Sequence, residues 1–377
     1  MHADSRILSW LLLGALLLAA LPPTASGAPA ELRVPTMAAE AWPAADALFH
    51  RDSRWRGGDA AYSVPLGGDR VLWLFGDSFI ATSAAPGRRA SRMVRNSIAI
   101  QRGLDPSIAS MTFGWRTDSA GPASFFPEDG DRWYWPGRGI RIGRALVIFL
   151  ERVHETPGEG LGFRADGWRL ALVEDPDAEP SAWRVRILAP PPGPDSMVVG
   201  LAAWRDGPDV VTLGIREPGD HAGFLVRWPA TDLARGRLDG ARWWAGDSAG
   251  WVVTRALRGR PAVVIEDAGP ECSLHRDPRT GRQVHVRTVG FGASEIGVSF
   301  ADRPQGPWSG MISVFRPPES DRKDAFVYAG KGHPELAGAD LVLTYAANTF
   351  APFETLVADT TLYYPRFVCL RFGAAAR

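Results

Sequence analysis

One unit of pattern recurs along this chain: a strand of mixed polarity, a tight turn rich in Gly and Asp, and a second strand that is almost wholly apolar. The second strands are Arg70–Gly76, Arg144–Leu150, Asp209–Ile215, Arg282–Thr288 and Asp340–Ala346. They start about 58 to 74 residues apart, room for two further strands in each repeat. Short alternating runs follow each hairpin, among them Asn96–Ile100, Met111–Trp115, Arg169–Val173, Trp183–Ile187, Gly223–Trp228 and Glu295–Phe300. Helical periodicity is weak almost everywhere.

Five four-stranded units of this kind predict an all-β fold, a five-bladed β-propeller. Residues 55–377 form that domain, and residues 28–54 are expected to help close the ring against the fifth unit. In such a ring the first strands line one axis, so polar groups far apart in sequence meet in one pocket. Trp115, Trp183, Trp244 and Trp308, near the ends of successive units, are expected to pack between blades.

Residues 1–27 read as a cleaved secretory leader: Arg6, the apolar run Ile7–Leu21, Pro22-Pro23, then the small residues Ala25-Ser26-Gly27. The run is shorter than a bilayer span, and the expected location is secreted or periplasmic, without membrane insertion. Lys plus Arg and Asp plus Glu balance at 42 each, so charge makes no case for nucleic acid. Cys272 and Cys369 are the only cysteines, too few for a disulfide framework. No His or Cys spacing suits zinc, and neither a Gly-x-Ser-x-Gly elbow nor a phosphate loop occurs. No cofactor or metal ligand is therefore assigned, although oxygen ligands for a structural Ca²⁺ in the channel remain open. The protein is expected to act as a monomer on a polysaccharide.

Paired strands run antiparallel, so first-strand starts and second-strand ends share one face. The starts hold Asp59, the Trp135-Pro-Gly-Arg138 segment, Glu271, and His333 with Glu335; the second-strand ends hold Asp77, Glu151, Glu217 and Asn348. Cutting a glycosidic bond takes one carboxylic acid to protonate the leaving oxygen and one carboxylate to activate water or attack. Asp59 and Glu271 suit that pair, with Asp77 beside Asp59 to set its ionisation. Asn96, Trp135, Arg138, His333, Glu335 and Asn348 are the expected substrate contacts. Each also has a plainer reading, as a turn cap, an ion-pair partner or, for His333, a hydrogen-bonded core histidine.

Several of these segments carry a family resemblance: Gly57-Gly-Asp-Ala-Ala-Tyr-Ser63, Leu72-Trp-Leu-Phe-Gly-Asp-Ser78, Arg95-Asn-Ser-Ile98, Glu271-Cys-Ser-Leu-His-Arg-Asp277, Gly306-Pro-Trp-Ser309 and His333-Pro-Glu-Leu336. From about Trp55 to Phe372 the chain resembles a secreted five-bladed propeller family, long labelled as of unknown function and related to the arabinanase and β-fructosidase superfamily. Some members of that family degrade D-arabinan. The resemblance implies a glycoside hydrolase of the arabinanase type, with Asp59 as base or nucleophile and Glu271 as acid. It departs in the third carboxylate, which has no obvious counterpart at the starts of the second and third units; Asp77 or Glu151, at second-strand ends, is the candidate replacement. The competing readings are a non-catalytic sugar-binding propeller and a protein-interaction scaffold.

Overall fold

The computed structural model describes residues 34–159 and 161–373. The expected leader lies outside them. The described chain is all-β, with five antiparallel sheets of four or five strands following one another in sequence. Sheet I holds Tyr62–Gly67, Arg70–Phe75, Ser97–Arg102 and Ser110–Gly114; sheet II holds Arg132–Ile142, Ala145–Glu155, Phe163–Val173 and Val185–Leu188. Sheet III runs Met197–Asp206, Asp209–Arg216, Gly223–Pro229, Arg242–Trp244 and Trp251–Val253. Sheet IV comprises Cys272–Arg276, Gln283–Val289, Glu295–Ala301 and Ile312–Phe315. Sheet V comprises Ala325–His333, Leu341–Thr349, Arg366–Phe372 and, as its outermost strand, Met37–Ala41 from the N-terminal segment.

The apolar second strands follow from burial on both faces. In Arg70–Phe75, Leu72 and Leu74 pack toward sheet II, whereas Val71, Trp73 and Phe75 pack toward sheet V. Period-two alternation thus divides one apolar run between two cores. Leu146, Ile148 and Leu150 likewise face sheet I, while Val147 and Phe149 face sheet III. A third core joins sheets III and IV through Leu213, Leu225 and Leu274, and a fourth joins IV and V through Val286, Val298 and Leu343. A further layer joins sheets V and I. There Phe49, fully buried, stacks on Phe367 at 4.9 Å and edges onto Trp73 at 5.3 Å. Side chains of this size contribute about 1.5–3 kcal/mol each when buried.

Trp183, Trp244, Trp308 and Trp115 pack in or against these intersheet layers, as their positions in the sequence suggest. A small three-stranded sheet pairs Trp55–Gly58, which precedes sheet I, with the inserted strands Ser78–Ala81 and Ser91–Val94, which lie between its second and third strands. Its four-residue strands are too short to stand out in the polarity pattern. Cys272 and Cys369 are both buried free thiols. Among the described residues no helix is long and apolar enough to cross a membrane.

Candidate active site

Asp59 precedes the first strand of sheet I by three residues, and Glu271 precedes that of sheet IV by one. Asp77 and Glu217 stand just past the second strands of sheets I and III, whereas Glu151, expected at such an end, lies within the second strand of sheet II, which runs on to Glu155. Strand polarity brings these carboxylates to one end of the sheets. They feel one another there: Asp77 and Glu271 act on Asp59, and Glu217 and Glu271 act on Glu151.

Asp59 is the most constrained of the five. Tyr328 and Tyr363 both donate their hydroxyl hydrogens to its Oδ2, at 2.7 and 3.1 Å. A Cβ on Gly76 would lie 2.5 Å from its Oδ1, so only glycine allows the carboxyl this close to the backbone. Ala60, Ala61, Ala329 and Tyr363 around it all have positive φ, between 57° and 64°. That conformation is unfavourable for residues with a Cβ and tends to accumulate at working sites. Burial pushes the Asp59 carboxyl up to about 8, helped by the charges of Asp77 and Glu271 and opposed by the two phenols. At neutral pH Asp59 therefore carries a proton.

Asp77 accepts from Trp135 Nε1 at 2.9 Å and from Arg95 Nη1 at 3.3 Å. Burial nevertheless raises its carboxyl, against the pull of Arg95. Glu271 lies 3.4 Å from the ammonium of Lys331, which also donates to the carbonyls of Ala60 at 2.7 Å and Ala329 at 3.2 Å. The ammonium sits 4.4 Å above the ring of Tyr62 and is fully enclosed. Burial pulls Lys331 below the usual lysine range, and the Glu271 carboxylate pulls it back up. Glu217 pairs with His221 Nε2 at 2.9 Å and borders a cleft of about 430 Å³ between sheets II and III. A cleft of about 700 Å³ beside the inserted sheet, lined by Arg56 and Arg88, touches none of the five carboxylates.

Glu151 lies in register between Trp135 and Trp168. Burial, then Glu217 and Glu271, push it up to about 8. The folded protein thus holds a proton that the unfolded chain releases near pH 4.5. The stability tied to that proton is complete below the ordinary carboxylate range and is lost as pH rises through about 8. Glu151→Gln, equal in shape and uncharged, should be more stable than wild type at pH 8 by about 2 kcal/mol. That figure discounts for rim water the ~1.4 kcal/mol per tenfold change in proton affinity. Thermal melts at pH 8 and pH 4 check this, with the difference expected to vanish at the lower pH.

Four expected substrate contacts lie elsewhere. His333 is the last residue of its strand rather than near the first, which sets it toward the other end of sheet V. Its Nδ1 is 2.6 Å from Ser63 Oγ and its Nε2 is 2.7 Å from Thr344 Oγ1. Burial, with the charges of Arg138 and Lys331, holds it well below the ordinary histidine range. Arg138 pairs with Glu335 at 3.1 Å, and both reach Ser63. These residues form a closed network that leaves His333 no free ring nitrogen for a sugar. Asn96 is fully buried as well. Its amide donates to the carbonyls of Phe126 and Tyr134 and accepts from the Phe126 N–H, so it clamps backbone rather than substrate. Trp135 stays beside the carboxylates, and Asn348 remains half-buried at the same end, its Oδ1 accepting from the Thr349 N–H. Among the described residues no three His, Cys, Asp or Glu side chains are arranged to hold a metal ion.

Sequence reasoning missed Tyr328, Tyr363 and Lys331. Lys331 did leave a signal: the chain has only two lysines among 42 basic residues, and this one lies in an apolar, glycine-rich strand.

A family model described as a domain of unknown function (DUF5005) matches residues 44–185, which include Asp59, Asp77 and Glu151. No curated protein matches the chain in sequence. Among solved structures, a provisionally assigned hydrolase from Bacteroides ovatus is similar at 16% identity and TM-score 0.69, over 89% of this chain and 90% of that one. The catalytic domain of the GH62 α-L-arabinofuranosidase of Coprinopsis cinerea matches at 10% identity and TM-score 0.46, over 85% of this chain and 92% of that one. A thermostable family-43 glycoside hydrolase matches at 13% identity and TM-score 0.44, over 85% and 92%. At such identity the Bacteroides protein speaks for a common fold.

Proposed function

We propose that this protein is a secreted glycoside hydrolase, built as a five-bladed β-propeller, that cuts furanose-containing polysaccharide of the D-arabinan type. The single observation that carries the reading is the carboxyl of Asp59. It is anchored through Oδ2 by two tyrosines, has Oδ1 against Gly76, and is coupled to the carboxylates of Asp77 and Glu271. Two carboxyls in unlike surroundings are what glycosidic cleavage requires. The five intersheet cores support the blade count, and the leader-like N-terminus supports secretion. The arabinan specificity rests on the sequence segments that resemble arabinan-degrading propellers.

In this reading Asp59, loaded with a proton, gives it from Oδ1 to the departing glycosidic oxygen. Glu271, facing the Lys331 ammonium, attacks the anomeric carbon or takes a proton from the water that does. Asp77, fixed by Trp135 and Arg95, keeps the proton on Asp59 by its charge. This reverses the roles that the family resemblance implies, because environment rather than blade order assigns the proton. The test incubates the purified protein with plant and mycobacterial arabinans and with fructans, and resolves products by chromatography. Release of arabino-oligosaccharides supports the reading. Retention of glycan without any product would instead favour a sugar-binding propeller.

A further inference from the structure

A row of aromatic rings leads outward from Asp59. Tyr328, which donates to Asp59, lies 5.3 Å from Phe326; Phe326 lies 4.7 Å from Phe350; and Phe291 lies 5.4 Å from Phe350 and 5.7 Å from Phe326. The outer two are largely in water, Phe291 at 67% and Phe350 at 51% exposure. Single exposed apolar residues are ordinary, but a contiguous row is not. This row is assembled from three separate segments. Phe291 stands in the loop between the second and third strands of sheet IV, between Gly290 and Gly292, both at positive φ. Phe326 belongs to the first strand of sheet V, and Phe350 directly follows its second strand. Asn348, in register with Phe326, spends its Oδ1 on Thr349, which leaves its amide hydrogens for a hydroxyl.

We propose that these rings are a binding strip for a neutral polysaccharide, holding sugar units beyond the bond being cut. The inference rests on the glycoside-hydrolase reading and extends it to polymer rather than small glycoside. Sugar rings present C–H faces that stack on aromatic rings, with hydroxyls at the edge for an amide such as Asn348. The strip is uncharged and continuous with the carboxylate site through Tyr328, which favours a neutral glycan chain over a charged partner. With its far end out in solvent, the strip can take a chain that continues past the site, which suits cutting within a polymer.

The test uses the full chain with Phe291→Ala, Phe350→Ala and the double variant. Ile108→Ala, 81% exposed in the loop between the last two strands of sheet I at the opposite end, serves as control. Binding is read by retardation in gels containing soluble arabinan, which requires no catalysis. The double variant should bind about tenfold more weakly, and its KM on polymer should rise by about the same factor relative to that on an aryl arabinofuranoside. Unchanged retardation in the double variant, or equal weakening by Ile108→Ala, would overturn the proposal. So would a wild type retained by no glycan, or a dimer that the substitutions dissolve. The two readings separate cleanly. Retention that the variants lose, without cleavage by wild type, keeps the strip and removes the hydrolase; cleavage with retention unaffected by the variants does the reverse.

Discussion

Asp59→Asn should lower turnover on polysaccharide by about 10³-fold, and most of that loss should return on substrates whose leaving group needs no proton. The amide keeps the shape and can still accept from Tyr328 and Tyr363, so fold and glycan binding should survive. It has no proton to give. An aryl glycoside leaves without protonation and bypasses the missing step. Glu271→Gln should cost a comparable factor and show no such recovery, since attack or water activation is needed for every leaving group. The pH profile carries the same assignment. With Asp59 up at about 8 through burial and its carboxylate neighbours, activity should fall as pH rises through that value and the donor loses its proton. Asp77→Asn removes one neighbouring charge, lowers the proton affinity of Asp59 and should move that fall to lower pH. Recovery by Glu271→Gln instead, with activity rising through pH 8, would restore the assignment implied by the family resemblance.

The strand pairs were legible because their cause is local. An apolar run such as Leu146–Leu150 declares a strand covered on both faces, and Gly67-Gly68-Asp69 between Tyr62–Leu66 and Val71–Phe75 declares a hairpin. Strand polarity then sufficed to bring Asp59, Asp77 and Glu271 to one end. His333 was misplaced because the first strand of sheet V begins eight residues earlier, at Ala325, and a histidine beside Pro334 looks like a strand start. Asn96 looked available because nothing nearby in sequence shows that the Phe126 and Tyr134 backbones fold onto it from 30 and 38 residues away. The tyrosines on Asp59 come from still farther, 269 and 304 residues along the chain. No periodicity marks them. Their hydroxyls reach Asp59 only because the sheets bring distant ends together, and Tyr328 does so beside a register shift that no alternation rule predicts.

Lys331→Met should reduce kcat/KM by at least about 10²-fold, the scale at which misplaced reacting groups lose rate. The ammonium makes three contacts with different consequences. It faces Glu271, and it holds the carbonyls of Ala60 and Ala329, two residues in the left-handed region, the first following Asp59 and the second following Tyr328, which donates to Asp59. One buried cation thus fixes the Glu271 carboxyl group and the left-handed backbone that carries the proposed proton donor. Methionine fills the space, but it leaves Glu271 without its countercharge and two carbonyls without donors. A buried pair broken on one side typically costs about 3–5 kcal/mol, so the melting temperature should fall as well. Arginine is no substitute, because its planar fork does not fit a cavity shaped for a single nitrogen above Tyr62. A bracing role alone would lower rate and stability and leave the pH profile in place. Loss of the charge instead raises the proton affinity of Asp59, so the alkaline fall in activity should move to higher pH in Lys331→Met, opposite to the shift in Asp77→Asn. A folded Lys331→Met protein whose profile coincides with wild type would show that the ammonium does not tune the carboxylates.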